Sequence, residues 1–113
     1  MENCIFCKIA NKEIGTLIYE NEYVVAFDDL NPVAPVHSLI VPIKHIENLE
    51  DLKNEDMVYI QEIHKAIKEV AKIKWVNESG YRIINNCGKD AGQSVMHLHY
   101  HLIGGKELGE KII

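Results

Sequence analysis

The chain has 113 residues and carries 12 basic against 17 acidic side chains, which gives a formal net charge of −5. This length supports one modest core, so we expect residues 1–113 to form a single domain. The acidic balance, with no basic run, argues against a nucleic-acid partner, and no apolar stretch is long enough to predict a membrane span. An odd count of three cysteines, together with an N-terminus that lacks a signal-peptide pattern, predicts a reducing, cytoplasmic location.

Two thiols near the N-terminus have the spacing of half a tetrahedral zinc site, in the sequence Cys4-Ile5-Phe6-Cys7. The other two ligands must come from elsewhere in the chain, and histidine is the obvious donor. A redox role is disfavoured, because a redox C-x-x-C normally begins a helix within a βαβ unit and no such unit is predicted here. Two free thiols near the terminus are the remaining alternative.

The region between residues 8 and 42 is predicted to form a short helical turn and three strands. Residues 17–20 and 23–27 are rich in β-branched and aromatic side chains, and Asn21-Glu22 between them indicates a hairpin turn. Prolines between residues 31 and 35 indicate a loop. A third strand is predicted over residues 37–42.

Residues 54–74 have the pattern of one long helix. Asn54 is a plausible N-cap, and Lys74 lies at the end that favours basic side chains. We expect His64 to be partly buried and hydrogen-bonded, without a catalytic role. The apolar stripe that recurs at three- and four-residue steps is expected to be core or dimer interface; it comprises Met57, Ile60, Ile63, Ile67, Val70 and Ala71.

The last third of the chain contains a strand over residues 81–86, a polar glycine-rich loop over 87–94 and a histidine-rich segment. Such a loop can present backbone N–H groups to phosphate oxygens. Residues 95–103 alternate strictly, which predicts a strand with His97, His99 and His101 in one row. A row of imidazoles suggests chemistry near neutral pH. Alternate strand residues are about 6.6–6.8 Å apart, so separate roles for the three rings are at least as favoured as a three-histidine metal site.

The run His97-Leu98-His99-Tyr100-His101-Leu102-Ile103 resembles the signature of the histidine triad (HIT) family, His-φ-His-φ-His-φ-φ, where φ is apolar or aromatic. The flanking segments 91–95 and 104–105 look like those of its Hint branch of nucleoside phosphoramidases, and the resemblance covers nearly the whole chain. It implies an α+β, HIT-like fold: an antiparallel sheet of about five strands with one long helix. It also implies a homodimer across which the sheet continues.

The resemblance implies a role for each residue of the site. His99, at the centre of the row, would be the nucleophile toward a nucleoside 5′-monophosphoryl group. Asp29 matches the carboxylate that accepts hydrogen bonds from the ribose, and Phe27 and Leu30 match the apolar wall against the base. The implied catalytic set is His99, His101, His97, Ser94 and His37. The implied substrate contacts are Phe27, Asp29, Leu30, Asn86, Gly92, Gln93, Ser94 and Val95, together with His99 and His101.

The resemblance also implies a cofactor and a reaction. Cys4, Cys7, His45 and His97 would hold a structural zinc ion, and no catalytic metal or organic cofactor is expected. The reaction would cleave the P–N bond of a purine nucleoside 5′-phosphoramidate to give the nucleoside 5′-monophosphate and an amine.

Three other readings of the sequence compete with a phosphoramidase. A dinucleoside polyphosphate hydrolase of the Fhit branch would typically have Gln where this chain has Tyr100. The chain could instead be a nucleotide-binding regulatory module in which turnover is incidental. A zinc-binding structural protein with no pocket is disfavoured, because it would leave His99 and His101 without a purpose.

Overall fold

Five strands and one long helix dominate a computed structural model of the chain, which describes residues 3–113. Within that range the strands form one sheet in the order β1-β2-β3-β5-β4, with every neighbouring pair antiparallel. The predicted α+β class, with a five-stranded antiparallel sheet and one long helix, is therefore confirmed. In chain order the elements are α1 (Ile5–Ala10), β1 (Tyr19–Glu20), β2 (Val24–Asp28), β3 (Val36–Pro42), α2 (Met57–Ile73), β4 (Tyr81–Ile84) and β5 (Tyr100–Gly104), with 3₁₀ turns at Leu49–Asp51, Asn54–Asp56 and Lys89–Ala91.

Helix α2 covers one face of the sheet. Ile63 and Val70 on its apolar stripe are fully buried and belong to the same core cluster as Ile40 of β3 and Leu102 of β5. Successive side chains of a strand point to opposite faces, so the residues that alternate with Ile40 in β3 and with Leu102 in β5 point away from α2. Most of the core therefore lies between α2 and the sheet.

The opposite face of the sheet is covered only in part, because α1 has just six residues. Phe6 of α1 packs there in a second cluster with Phe27 and Leu39. His101 lies directly opposite Leu39 in the β3–β5 ladder, and His37 precedes Leu39 by two residues, so both histidines lie on this face. The uncovered part of this face is where the polar side chains gather.

The end of β2 sorts two adjacent acidic residues to different faces. Asp28 accepts hydrogen bonds from Ser38 Oγ at 2.9 Å and Lys74 Nζ at 2.7 Å. Asp29 lies beside His37, with 3.4 Å between Asp29 Oδ2 and His37 Nε2. Asp28 therefore ties the sheet to the end of α2, whereas Asp29 belongs to the face that carries the histidines.

The prediction of a strand over residues 95–103 is wrong at its start, because β5 begins at Tyr100. Three hydrogen bonds of other kinds hold the residues before it. The His97 ring bonds to the Pro42 carbonyl, the Leu98 N–H donates to the Ile46 carbonyl, and Asn85 Nδ2 donates to the His99 carbonyl. The three histidines therefore do not form a single row on one strand. His97 turns inward, and only His101 lies within the strand.

Helix α2 begins later than predicted. Its N-cap is Asp56 and not Asn54, which instead starts a 3₁₀ turn. The expectation that His64 is partly buried was also wrong: it is exposed on α2, with its ring packed edge-on against Tyr100 at a centroid distance of 5.9 Å. Over residues 3–113, neither α1 nor α2 has the length and apolar character needed to cross a membrane.

Candidate active site

A cavity of about 670 Å³ opens on the face of the sheet that α1 leaves partly uncovered. Seven of the residues predicted for the site line it: Phe27, Asp29, Leu30, Ser94, Val95, His99 and His101. Among the described residues, the lining does not include Asn86, Gly92 or Gln93. The structure thus brings two predicted groups of residues together in one cavity: the apolar and acidic residues at the end of β2, and the histidines near the last strand.

Part of the cavity wall was not predicted from the sequence. Ile5, Phe6 and Ile9 of α1 line it, and so does Leu39 of β3. Ile5 and Ile9 lie one helical turn apart, which is the signal that could have placed them on one side of α1. A helix of six residues is too short for that pattern to stand out.

His99 is held in a single tautomer by its backbone neighbour. Its Nδ1 lies 2.8 Å from the carbonyl oxygen of His97, and a carbonyl only accepts, so Nδ1 carries the proton. In the neutral ring, Nε2 then has a free lone pair. The edge of the Phe6 ring packs against the imidazole at a centroid distance of 5.1 Å, and only 6% of His99 is exposed. The residue is therefore a buried and oriented imidazole at the cavity wall, and its neutral form carries the lone pair on Nε2.

His37 sets the tautomer of His101. The Val33 N–H donates to His37 Nδ1 at 3.1 Å, so the neutral His37 ring carries its proton on Nε2. That nitrogen lies 2.9 Å from His101 Nδ1 and donates to it. The His101 proton is therefore on Nε2, and His101 offers a hydrogen-bond donor beside the lone pair of His99.

His101 is neutral near pH 7. Burial, followed by the neighbouring His99 and His37, lowers its pKa to about 4. Asp29 opposes this shift but does not reverse it. The ring can therefore donate a hydrogen bond to an anion without competing with His99 for a proton.

Asp29, His37 and His101 come close enough to suggest a second metal site, since their ligand atoms all lie within 4.8 Å of one another. The hydrogen bond from the Val33 N–H argues against it. A histidine bound to a metal through Nε2 normally donates through its other nitrogen, whereas His37 Nδ1 accepts. The trio is better described as a hydrogen-bonded chain that ends at His101.

The glycine-rich loop before the histidines is held by Gln93. Its side chain accepts from the Gly88 N–H at 2.9 Å and donates to the carbonyls of Glu47 and Val95 at 2.7 and 3.0 Å. Gln93 is 7% exposed, so these bonds fix the loop from inside and leave Ser94 exposed beside the cavity. The Gln93 side chain therefore shapes the loop instead of facing the cavity.

Asn85 is a residue that the sequence analysis missed. Its Nδ2 donates to the His99 carbonyl at 2.9 Å, and its buried Oδ1 has no partner within residues 3–113. The sequence does contain a signal for this role: two consecutive asparagines at the end of β4. Their side-chain amides can form hydrogen bonds in place of the backbone bonds between strands. Asn85 thus holds the backbone of His99 from the side opposite to β3.

Cys4, Cys7, His45 and His97 form a cluster that could hold a metal ion, as all four ligand atoms lie within 4.8 Å of one another. His97 Nδ1 lies 3.3 Å from Cys4 Sγ and 3.4 Å from Cys7 Sγ, and His45 Nδ1 lies 3.3 Å from Cys7 Sγ. His97 Nε2 donates to the Pro42 carbonyl at 2.8 Å, which leaves Nδ1 with a lone pair aimed at the sulfurs. Without a metal, burial and then Cys4 raise the pKa of the Cys7 thiol to about 11, and burial lowers the pKa of His97 to about 4.

The sequence matches the family model described as HIT domain over residues 11–108. It is 37% identical over 109 residues to the purine nucleoside phosphoramidase of Escherichia coli, and the alignment covers 96% of this chain and 92% of that protein. A histidine triad protein from Clostridium difficile superposes with a TM-score of 0.93 at 51% identity, covering 98% of this chain and 97% of that one. A HIT family hydrolase from Clostridium thermocellum superposes with a TM-score of 0.96 at 49% identity, covering 100% and 99%.

The lowered pKa of His101 predicts a pH-dependent stability. Its ordinary value is 6.5 and its native value about 4, so between these pH values the unfolded chain binds a proton that the native chain does not. The free energy of unfolding should therefore fall as the pH is lowered through this range, by at most about 1.4 kcal/mol per pH unit from this residue. Urea unfolding between pH 7 and pH 4.5 should give a shallower slope for His101→Gln than for the wild type. Equal slopes, with His101 titrating near its ordinary value by NMR, would contradict the assignment.

Proposed function

This chain belongs to the HIT domain family and is a HIT family hydrolase, and from this we propose that it hydrolyses purine nucleoside 5′-phosphoramidates through a nucleotidyl-histidine intermediate on His99. The observation that carries the proposal is the tautomer of His99. Its Nδ1 proton is bound by the His97 carbonyl, so the opposite nitrogen is free to attack phosphorus. A neutral imidazole avoids the repulsion that phosphate oxygens exert on an anionic nucleophile.

The cavity supports a nucleoside monophosphate as the group transferred. Phe27 and Leu30 supply an apolar wall for the base, and Asp29 lies at the same end of the cavity. A carboxylate suits a ribose, because it accepts from two neighbouring hydroxyls. The nucleoside would thus lie toward the end of β2, with its phosphate at the histidines. The purine specificity follows the relative from Escherichia coli, which is named for it.

The first step would form one bond and break one. The Nε2 lone pair of His99 forms an N–P bond while the P–N bond to the amine breaks, and the electron pair of that bond leaves with the amine nitrogen. That nitrogen takes up one proton that comes from solvent, and the Ser94 hydroxyl and His101 Nε2–H are both candidates to relay it. In the second step water attacks phosphorus, the His99–P bond breaks, and the nucleoside 5′-monophosphate leaves. The proton lost by the attacking water returns to solvent.

The phosphoryl oxygens need donors in both transition states. His101 supplies its Nε2–H, held in place by His37. Backbone N–H groups of residues 93–95, the Ser94 hydroxyl and the Asn86 amide are the other candidates. Donors of this kind are worth roughly 2.7–4 kcal/mol each where removal has been measured. Gly92 would contribute through its backbone freedom, since its φ of 83° lies in the left-handed region.

Replacement of the nucleophile tests the proposal. His99→Ala should lower kcat for adenosine 5′-phosphoramidate by at least about 10³-fold, because no other group then carries the covalent step. The variant should still bind adenosine 5′-monophosphate in calorimetry, since the nucleoside contacts remain. His64→Ala, an exposed histidine on α2, is the matched control and should keep wild-type kcat. Wild-type turnover in His99→Ala would refute the proposal, and binding without turnover in the wild type would favour a nucleotide-binding module.

We further propose that the cluster of Cys4, Cys7, His45 and His97 binds zinc. Zinc–sulfur bonds of 2.3 Å and zinc–nitrogen bonds of 2.0–2.1 Å in a tetrahedron separate S and N by about 3.5 Å. The corresponding separations here are 3.3, 3.3 and 3.4 Å, so the four donors fit the ion. Zinc bound there would be structural, joining the start of α1 to the segment before β5. His97 would then hold its carbonyl at His99 more rigidly.

Zinc content tests this site independently of activity. Protein from zinc-supplemented culture should show one zinc ion per chain by native mass spectrometry. Cys7→Ser should weaken zinc binding by more than the roughly 10- to 100-fold that loss of an outer partner costs. Cys87→Ser, a half-buried cysteine outside the cluster, should keep its zinc. Equal zinc content in the two variants would rule out the proposed ligand set.

The edge of the sheet supports a proposal for the homodimer. Among residues 3–113, β4 pairs only with β5, so one side of its backbone is unpaired there, and an unpaired edge is a template for a second chain. The opposite edge, β1, has only two residues. We propose that β4 of two copies pair and continue the sheet.

Solution mass tests the dimer directly. Sedimentation at micromolar concentration should give twice the chain mass of 12.9 kDa, because the interface would add backbone hydrogen bonds to buried apolar area. A species of 12.9 kDa across that concentration range would refute it.

A further inference from the structure

A second cavity adjoins the first at the glycine-rich loop. It has a volume of about 520 Å³. Ile5, Ser94 and Val95 line both cavities, so these three residues form a shared rim between them. The nucleoside is assigned to the far end of the first cavity, beside Asp29. A group attached to phosphorus on the other side would therefore pass over this rim.

The wall of the second cavity has a defined chemistry. Ile5, Val95 and Met96 supply its apolar surface, and Met96 is 45% exposed. Asn3, Cys4 and His45 also line it, and the last two are ligands of the proposed zinc site. Glu47 supplies a carboxylate, and within the described chain the lining contains no lysine or arginine to neutralise it. Apolar surface beside one carboxylate suits a short alkyl chain that ends in a cation.

We propose that this cavity is the subsite for the leaving amine, and that Glu47 favours amines carrying a second, cationic group. The inference rests on the proposed phosphoramidase function, whose chemistry it leaves unchanged. The P–N bond breaks as the His99–P bond forms, and in-line displacement directs the leaving nitrogen away from His99. The electron pair and one proton go to that nitrogen, and its substituent extends over Ser94 toward Glu47.

Three substrates separate the subsite from the chemistry. Adenosine 5′-phosphoramidate releases ammonia and does not reach the second cavity. Its N-butyl and N-(3-aminopropyl) derivatives reach it equally and differ only in a terminal methyl or ammonium group. The measured quantity is the ratio of kcat/KM for the aminopropyl substrate to that for the butyl substrate. When this ratio is compared between the wild type and a variant, the intrinsic difference in reactivity between the two leaving groups cancels.

Glu47→Gln should lower this ratio by about two- to fivefold, the range expected from an exposed ion pair. It should leave cleavage of the unsubstituted substrate unchanged. Glu50→Gln, a neighbouring exposed acidic residue outside the lining, is the matched control and should keep the wild-type ratio. The wild-type preference should also fall at about 1 M salt, where screening acts within about 3 Å.

Met96→Trp tests the volume of the cavity without changing its charge. It should lower kcat/KM for both substituted substrates and spare the unsubstituted one. If the wild type cleaves all three substrates, two results together would overturn the subsite but leave the phosphoramidase proposal intact. These are an unchanged aminopropyl-to-butyl ratio in Glu47→Gln and unchanged kcat/KM for both substituted substrates in Met96→Trp. Failure of the wild type to cleave even the unsubstituted substrate would overturn the proposed function, and the subsite with it.

Discussion

The hydrogen bond between His99 Nδ1 and the His97 carbonyl is the interaction on which the candidate active site depends. It fixes which nitrogen of His99 is free, and it makes the position of that nitrogen a consequence of where His97 lies. His97 is itself held at its ring by the Pro42 carbonyl and faces two thiols through Nδ1. A metal ion bound there, as proposed, would act on the nucleophile through one peptide group, without touching the substrate.

The two faces of the sheet have different roles, one in stabilising the fold and the other in forming the candidate active site. Its α2 face carries the larger core cluster, whereas the other face is left open by a helix of six residues. The alternation of side chains along the strands therefore gives two adjacent acidic residues different roles. It sends Asp28 to a structural contact with Lys74 and Asp29 to the face with His37. A one-residue slip of β2 would exchange these roles, so the register of the β2–β3 ladder matters as much as the residues themselves.

The parts of the fold that follow local patterns could be predicted from the sequence. The periodicity of α2 and the composition of β2 and β3 gave those elements to within a few residues. The start of β5 could not be predicted this way, because partners distant in sequence decide it. The Leu98 N–H and the His99 carbonyl, which a strand would have paired with its neighbours, bond instead to the Ile46 carbonyl and the Asn85 side chain. The same limit applies to the site. The family motif identified its histidines, but the tautomers of His99 and His101 depend on a backbone carbonyl and a backbone N–H that no motif specifies.

The proposed reaction requires that His99 becomes covalently nucleotidylated. The most direct measurement is intact-protein mass spectrometry after rapid mixing with adenosine 5′-phosphoramidate and quenching without acid, followed by peptide mapping. The wild-type protein should gain an adenylyl mass that maps to His99 and is absent from His99→Ala. An adduct on a different residue, or nucleotide binding with neither adduct nor turnover, would contradict it.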